Sequence, residues 1–190
     1  MYSALYHLDK LHILEKTEQV FRETVRTCQG IKEDDFFQKK DGLSGCDHLN
    51  HQEAMIAESW SKLFTPKLIL RWKYGKPLHE SFSYEQMEET CMQLLNEETQ
   101  IRLERLFREK NKKKVFTKKE ERLNHFTAQT ERYLNELRFY WEDHQIDRYQ
   151  MPHEQLGIIT AREWIYYTII YSWKQLNKIR KIKEEFRVHT

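Results

Sequence analysis

Residues 164–173 read Trp-Ile-Tyr-Tyr-Thr-Ile-Ile-Tyr-Ser-Trp, and this stretch decides the fold. Eight of its ten residues are apolar or aromatic, and at helical spacing they point in every direction around the axis. A helix that is apolar on all sides is buried. The run is too short to span a bilayer, which needs about 20 apolar residues. Other helices must therefore pack around it.

The flanking residues extend this stretch into a long helix from Thr160 to about Arg187. Thr160 and Glu163 have the spacing of a capping box, in which each side chain accepts a hydrogen bond from the backbone N–H of the other residue. The second half of the helix is amphipathic. Its apolar stripe consists of Leu176, Ile179, Ile182 and Phe186, and its basic face of Lys174, Lys178 and Lys181.

The composition indicates a helical protein with one folded unit. A chain of 190 residues fits a single domain, residues 1–190. It has only 5 Gly and 3 Pro, and aromatic residues make up 13%. The net charge of +2 is near neutral, so no global attraction to nucleic acid or to an acidic membrane follows.

The cysteines and the N-terminal residues indicate a cellular compartment. Cys28, Cys46 and Cys91 are odd in number and form no Cys-x-x-Cys motif, so we expect neither a disulfide framework nor a thiolate zinc site. Residues 1–10 lack the basic start and apolar run of a secretory signal. These features predict a cytoplasmic protein without membrane insertion.

Apolar periodicity and capping residues predict five further helices and no strand. They run from about Ser3 to Cys28, from Ser44–Asp47 to Phe64, from Pro66 to Tyr74, from Ser83 to about Glu109, and from Thr117 to about Gln145. Loops are predicted over residues 31–45 and 146–159. The fold class is therefore all-α: an antiparallel bundle of about four long helices with short connecting helices, organised around the buried C-terminal helix.

The helix predicted from Thr117 has the clearest packing pattern. Thr117 and Glu120 have capping-box spacing. Apolar and aromatic positions then alternate at intervals of three and four residues, which is the pattern of a helix packed lengthwise on another. This seam consists of Leu123, Phe126, Thr130, Tyr133, Leu137, Tyr140 and His144.

Three basic clusters are the candidate binding residues. They lie in residues 67–76, 108–122 and 174–187, and the second holds eight Lys or Arg against three Glu. Should they converge on one face, they could neutralise phosphates while a Trp stacks on an unpaired base. Alternatively they pair with the Glu-rich segment 80–109 or face water. The candidates are Arg71, Trp72, Lys73, Lys110, Lys112, Lys113, Lys114, Lys118, Lys119, Lys174, Lys178 and Lys181.

Histidines and acids on two helices are the candidate metal ligands. His48 and His51 lie within one turn, and Glu121 and His125 are four residues apart on one helix face. Metal sites in helix bundles are built from such facing pairs. However, neither Glu-x-x-His spacing nor a His-Glu-x-x-His motif occurs among these residues, so we expect no bound metal and no other cofactor.

Arg148 and His153 are separated by four residues, a spacing found in some helical ribonucleases. Pro152 adjoins the histidine and places the pair in a predicted loop. A short motif outside its structural context is weak support for a catalytic role.

These observations favour a non-enzymatic bundle that binds another macromolecule. A protein partner, bound in a regulatory or adaptor role, is the expected function, because acidic and basic surfaces steer encounters and no catalytic constellation has the required spacing. A nucleic-acid-binding bundle that uses the three basic clusters is the first alternative. A metal-dependent helical enzyme is the second.

Overall fold

A computed structural model describes residues 7–39, 42–94 and 116–188. Within these ranges the chain forms helices, one short 3-10 turn (Asp143–Gln145) and one hairpin. The helices are α1 (Lys10–Gln29), α2 (Glu33–Phe37), α3 (Gly45–Leu63), α4 (Lys67–Tyr74), α5 (Tyr84–Leu94), α6 (Lys119–Tyr140) and α7 (Ala161–Val188). The hairpin strands are β1 (Gln150–His153) and β2 (Gly157–Thr160).

The long helices form the expected bundle around the C-terminal helix α7. This helix packs against α1, α3 and α5, while α6 packs against α1 and α3. Pairs of side-chain bonds fix the directions. Along α3, His48 meets Gln175 and Gln52 meets Ser172 of α7, so these two helices are antiparallel. Asn50 meets Arg122 and Ser59 meets Tyr133 of α6, so α3 and α6 run the same way.

The first half of α7 is buried on all sides, as its sequence predicts. Every residue from Ala161 to Ser172 is buried. The capping box at its start is confirmed: Glu163 Oε2 accepts from the N–H of Thr160 at 2.7 Å, and Thr160 Oγ1 accepts from the N–H of Glu163 at 3.3 Å. A large-to-small change in this packed core costs about 2–5 kcal/mol, so α7 is the element on which the fold depends.

Several polar side chains in the core are paired across the helices. Gln52 donates to the carbonyl of Ser172 at 3.2 Å and exchanges a hydrogen bond with Thr24. The hydroxyls of Ser59 and Tyr133 lie 2.8 Å apart. Because buried polar groups without partners are costly, these bonds fix how α1, α3, α6 and α7 align.

The prediction that residues 146–159 form only a loop is wrong. Residues 150–160 make a two-stranded antiparallel hairpin in which Gln150 pairs with Thr160 and His153 with Gly157. Gly157 has a φ of +76°, which glycine adopts without steric cost. Each strand has only four residues, and Pro152 interrupts the first, so no period-two pattern is long enough to indicate strands.

Several predicted helix boundaries also differ from the structure. Helix α1 begins at Lys10, because Asp9 caps it by accepting from the N–H of His12. Helix α6 begins at Lys119 without a side-chain cap, so the predicted Thr117–Glu120 capping box is absent. The same helix ends at Tyr140, and His144 of the predicted seam lies in the 3-10 turn. A one-turn helix, α2, lies within the predicted loop 31–45.

Other predicted boundaries are confirmed. Ser44 and Asp47 form a capping box at the start of α3, and Ser83 and Gln86 exchange the equivalent bonds before α5. The predicted continuation of α5 beyond Leu94 lies outside the described residues. Over the described ranges, no helix combines the length and the apolar character that crossing a bilayer requires.

Candidate binding surface at the hairpin end of the bundle

The two ends of the bundle differ in what they carry. The hairpin end holds the β-hairpin, helix α4, residues 75–83, the starts of α1 and α7 and the end of α6. Lys67 of α4 donates to the carbonyl of Tyr140 there at 2.7 Å. The lysine end holds the turn at Gly30, the start of α6 and the end of α7. Lys119 donates to the carbonyl of Ile31 there at 2.5 Å.

Exposed apolar side chains are concentrated at the hairpin end. Of the nine large apolar residues exposed in the described part of the chain, only Met92 lies elsewhere. The other eight are Leu11, Leu68, Ile69, Trp72, Leu78, Phe82, Phe139 and Ile158. Single exposed apolar residues need no explanation, but a concentration of them marks an interaction surface.

Helix α4 and the segment after it carry the most exposed of these side chains. Leu68 is 82% exposed, Trp72 is 81% exposed and Leu78 is 97% exposed. Leu68 and Trp72 are four residues apart and so lie on the same helix face. Leu70 points inward and is buried, which holds α4 against the bundle with its apolar face outward.

A groove of about 950 Å³ borders this surface. Cationic and imidazole side chains dominate its lining, which also includes the exposed Leu78. The lining consists of His7, Arg71, Lys76, Pro77, Leu78, His79, Glu80, Ser81, Asp147 and Arg148. The groove therefore joins part of the 67–76 basic cluster to Arg148, which lies far away in the sequence.

One carboxylate in the groove is neutralised by the protein itself. Asp147 accepts two hydrogen bonds from the buried Arg162, from Nε at 2.6 Å and from Nη2 at 2.7 Å, and one from Ser81 at 2.6 Å. Burial raises the pKa of Asp147, but the bonds from Arg162 and Ser81 outweigh this effect and the pKa is lowered. Asp147 therefore stays ionised and pairs with Arg162.

The groove wall is anchored to the capping box of α7. Ser81 Oγ lies 2.9 Å from Thr160 Oγ1, and Glu163 accepts from the N–H of Phe82 at 2.9 Å. Thr160 and Glu163 thus have two functions, since they start the central helix and hold residues 81–82 beside it. The wall is fixed before any ligand arrives, which lowers the entropy cost of binding.

A second groove, of about 600 Å³, lies between α1 and α6. Phe21, Val25 and Leu134 line it together with charges of both signs. Glu18 and Arg22 on its rim approach to 3.6 Å. Its mixed charges select no particular class of ligand.

The structure separates the predicted basic clusters. Arg71, Trp72 and Lys73 lie at the hairpin end, whereas Lys118 and Lys119 begin α6 at the lysine end. These positions are separated by the length of α6, about 33 Å for 22 residues. Lys110, Lys112, Lys113 and Lys114 lie outside the described residues.

At the lysine end, cations stabilise the chain. Lys119 donates to the carbonyls of Gln29 and Ile31, and the Lys183 ammonium lies against Gly30 where a Cβ would be. Cations are favourable at a helix C-terminus, where the last carbonyls carry partial negative charge. These lysines therefore cap α1.

The basic face of α7 is partly buried. Lys174 and Lys178 are half-buried, while Lys181 is exposed. Burial lowers the pKa of Lys174, and the charge of neighbouring Lys178 acts in the same direction. Lys174 and Lys178 lie between the two ends of the bundle, whereas Lys181 lies in the last part of α7 at the lysine end. None of the three lines the groove at the hairpin end.

The candidate metal ligands fall into separate groups. His48 and His51 are buried on α3 with ring centroids 6.0 Å apart, and His48 bonds to Gln175 at 2.8 Å. His125 lies 3.3 Å from Glu53, and Glu121 is exposed. Within the described ranges, no three His, Cys, Asp or Glu side chains are arranged to hold a metal ion.

Arg148 and His153 serve different parts of the structure. His153 packs against Trp164 and Tyr167, with ring centroids at 4.6 and 4.2 Å, and its Nδ1 accepts from the N–H groups of Gln155 and Leu156. Burial lowers its pKa to about 4, and the charge of Lys62 adds to this effect. His153 is therefore a neutral turn residue, whereas Arg148 lines the groove.

The cysteines are part of the core. Burial raises the pKa of Cys28 and of Cys91 to about 12, and it also raises the pKa of Cys46. A thiol is nucleophilic only as a thiolate, so none of the three is poised for reaction.

Sequence reasoning missed the groove itself. Lys76 was inside a predicted cluster, but His7, His79 and Arg148 come from three separate segments with no shared motif. The sequence shows the capping box of Thr160 and Glu163, but it does not show which segment that box binds. Ser81 meets Thr160, and the N–H of Phe82 meets Glu163, only in the folded chain.

No protein-family model matches this chain, and neither a curated protein nor a solved structure does. The function must therefore be inferred from the geometry of the hairpin end. That geometry consists of an outward apolar helix face, an anchored wall and a cationic groove.

Proposed function

We propose that this protein is a non-enzymatic helical-bundle adaptor that binds another protein through the hairpin end. The observation that carries the proposal is the outward face of α4, where Leu68 and Trp72 lie side by side in solvent beside Leu78. Aromatic and Arg side chains supply most hot-spot energy in protein interfaces. Arg71 and Trp72 together provide both types in one turn of helix.

A protein partner fits this surface better than nucleic acid does. Leu68 and Leu78 are aliphatic and cannot stack on bases. A strand of nucleic acid would need a continuous track of cations, and the hairpin-end cluster lies about 33 Å from the lysines that begin α6. A metal-dependent enzyme has less support, because His48 is bonded to Gln175, His125 lies 3.3 Å from Glu53 and Glu121 is exposed.

Photo-crosslinking from the α4 surface tests the proposal. A photoreactive phenylalanine analogue would replace Leu68 in the full chain, expressed in its native host. The matched control places the same analogue at Met92, which is also exposed but lies on α5. We expect a discrete protein adduct from position 68 that position 92 does not give. Nucleic-acid adducts, or no adduct specific to position 68, would contradict the proposal.

A further inference from the structure

The groove beside α4 has a surplus of positive charge. Arg71, Lys76 and Arg148 line it, and among the described residues none of the three has an ion-pair partner. Asp147 is neutralised by Arg162, so Glu80 is the one carboxylate left in the lining to oppose them. Three cations against one carboxylate create a local field that attracts an anion.

Two imidazoles add hydrogen-bonding capacity to this field. His7 and His79 both line the groove. The Nδ1 of His7 is buried and has no hydrogen-bond partner within the described part of the chain. The Nδ1 of His79 lies 2.9 Å from the carbonyl of Glu80 and so donates to it. Both imidazole rings therefore line the groove without a hydrogen bond to a carboxylate among the described residues.

We propose that this groove receives the phosphate of a phosphorylated serine or threonine in the partner protein. The inference rests on the proposed function, because it assumes that a protein docks on α4. Residues of the partner that flank the phosphate would pack on Leu78 and Trp72, since Leu78 belongs to both the groove and the apolar surface. This is the mode in which Arg clusters read phosphorylated segments.

Phosphate fits the groove better than a carboxylate does. A phosphoserine carries about −1.5 to −2 charges at neutral pH and three strong acceptor oxygens. The planar guanidinium of Arg matches these oxygens with two parallel bonds. Arg71 is also held in place, because its Cζ lies 5.2 Å from the ring centroid of Tyr149. A single carboxylate would leave cations in the groove unneutralised.

The anchored wall supports the same conclusion. Ser81 is bonded to both Asp147 and Thr160, and the N–H of Phe82 is bonded to Glu163. The segment that carries Lys76 and His79 is therefore held at its C-terminal end, beside Asp147 and the adjoining Arg148. Side chains that are already positioned lose less entropy when they bind a small anion.

Paired peptide libraries provide the test. The probes are degenerate peptides with a fixed central phosphoserine or phosphothreonine, and the same peptides after phosphatase treatment. Binding to the full chain is measured by fluorescence anisotropy. The groove variant is Lys76→Gln with Arg148→Gln. The matched control is Lys73→Gln, which removes a charge three residues before Lys76, on α4, but outside the groove.

We expect the phosphorylated library to bind about tenfold or more tightly than its dephosphorylated form, because the phosphate adds charge-assisted hydrogen bonds to the groove cations. The groove variant should lose that preference while it keeps the wild-type circular dichroism spectrum, and Lys73→Gln should keep the preference. Equal binding of the two libraries would overturn the inference. A preference for a single-stranded RNA probe of equal length would overturn it as well.

The two proposals can fail separately. If Leu68 crosslinks to a protein while the two libraries bind equally, the phosphate inference falls and the docking proposal stands. If neither library binds and no protein adduct forms at position 68, both proposals fall.

Discussion

The hairpin end and the lysine end both carry cations, but the two sets do different work. At the lysine end, Lys119 donates hydrogen bonds to the carbonyls of Gln29 and Ile31. At the hairpin end, the cations of the groove have no ion-pair partner in the described ranges, and apolar side chains lie exposed beside them. The described cations at the lysine end therefore stabilise the fold.

If the hairpin end is the binding surface, as we propose, the density of charge in a sequence is a poor guide to such a surface. Cations near a helix C-terminus interact with its last carbonyls and are then not available to a ligand. Cations that come from separate segments can meet in a groove and remain available. What distinguishes the hairpin end is the combination of available cations and outward apolar residues, which needs the tertiary structure to be seen.

The largest effect is expected from breaking the buried ion pair at the hairpin end. Replacement of Asp147→Ala leaves Arg162, at 4% side-chain exposure, with Asp143 at 3.8 Å as its remaining carboxylate. Removal of one partner of a fully buried pair costs about 3–5 kcal/mol. Because the Asp147 side chain is 39% exposed, we expect a loss at the lower end of that range, about 3 kcal/mol. Guanidinium unfolding of wild type and variant measures this change. A loss below about 1 kcal/mol would mean that the hairpin end is not held by this pair.

Acid should destabilise the hairpin end through His153. Burial lowers the pKa of His153 to about 4, so the unfolded chain binds this proton first as the pH falls. The free energy of unfolding should therefore decrease by up to about 3 kcal/mol as the pH falls by about 2.5 units, from 6.5 to 4.

His153→Asn is the variant that isolates this effect. Its side-chain oxygen can take the acceptor position of Nδ1 toward the N–H groups of Gln155 and Leu156, but it does not titrate. The variant should flatten the stability profile between pH 4 and 6.5, as measured by chemical unfolding at each pH. If the two profiles have the same slope, His153 is not the group responsible.

A smaller effect is expected at the lysine end. Lys119→Met removes the ammonium that bonds two carbonyls after α1, which should cost about 1–2 kcal/mol. The variant should bind partner proteins and phosphopeptides as wild type does. Thermal unfolding and the anisotropy assay measure the two properties. Loss of binding with unchanged stability would reverse the roles assigned to the two ends.

The smallest effect on stability is expected on the α4 surface. Leu68→Gln with Trp72→Gln changes two side chains that are more than four-fifths exposed, so unfolding free energy should change by less than about 0.5 kcal/mol for each. Chemical unfolding measures this. A loss of several kcal/mol would mean that these residues support the fold and are not a free surface.

The sequence predicts the helical core well because its signals are local and strong. The run from Trp164 to Trp173 is apolar all round, and the capping boxes at Ser44, Ser83 and Thr160 mark helix starts. The Thr117 box fails although it has the same spacing. There the N–H of Lys119 bonds instead to Glu33 from a distant segment, at 3.1 Å.

The candidate site could not be predicted as fully, because its parts meet only in three dimensions. Arg71 and Trp72 were identified from their local pattern. Arg148 was noticed for its spacing to His153, but that histidine packs in the core and Arg148 joins Lys76 instead. The hairpin between Gln150 and Thr160 is too short for an alternation signal, yet it turns the chain so that Asp147 can meet Arg162.

The central claim is that the hairpin end, and not the lysine end, binds the partner. The most direct test compares how much partner protein is captured from one host lysate by three proteins of equal folding stability. They are the wild type, Leu68→Gln with Trp72→Gln (the α4 variant), and Lys118→Gln with Lys181→Gln (the lysine-end variant). We expect the α4 variant to capture at least about tenfold less partner than wild type, and the lysine-end variant to capture as much as wild type. Full capture by the α4 variant together with loss in the lysine-end variant would contradict it.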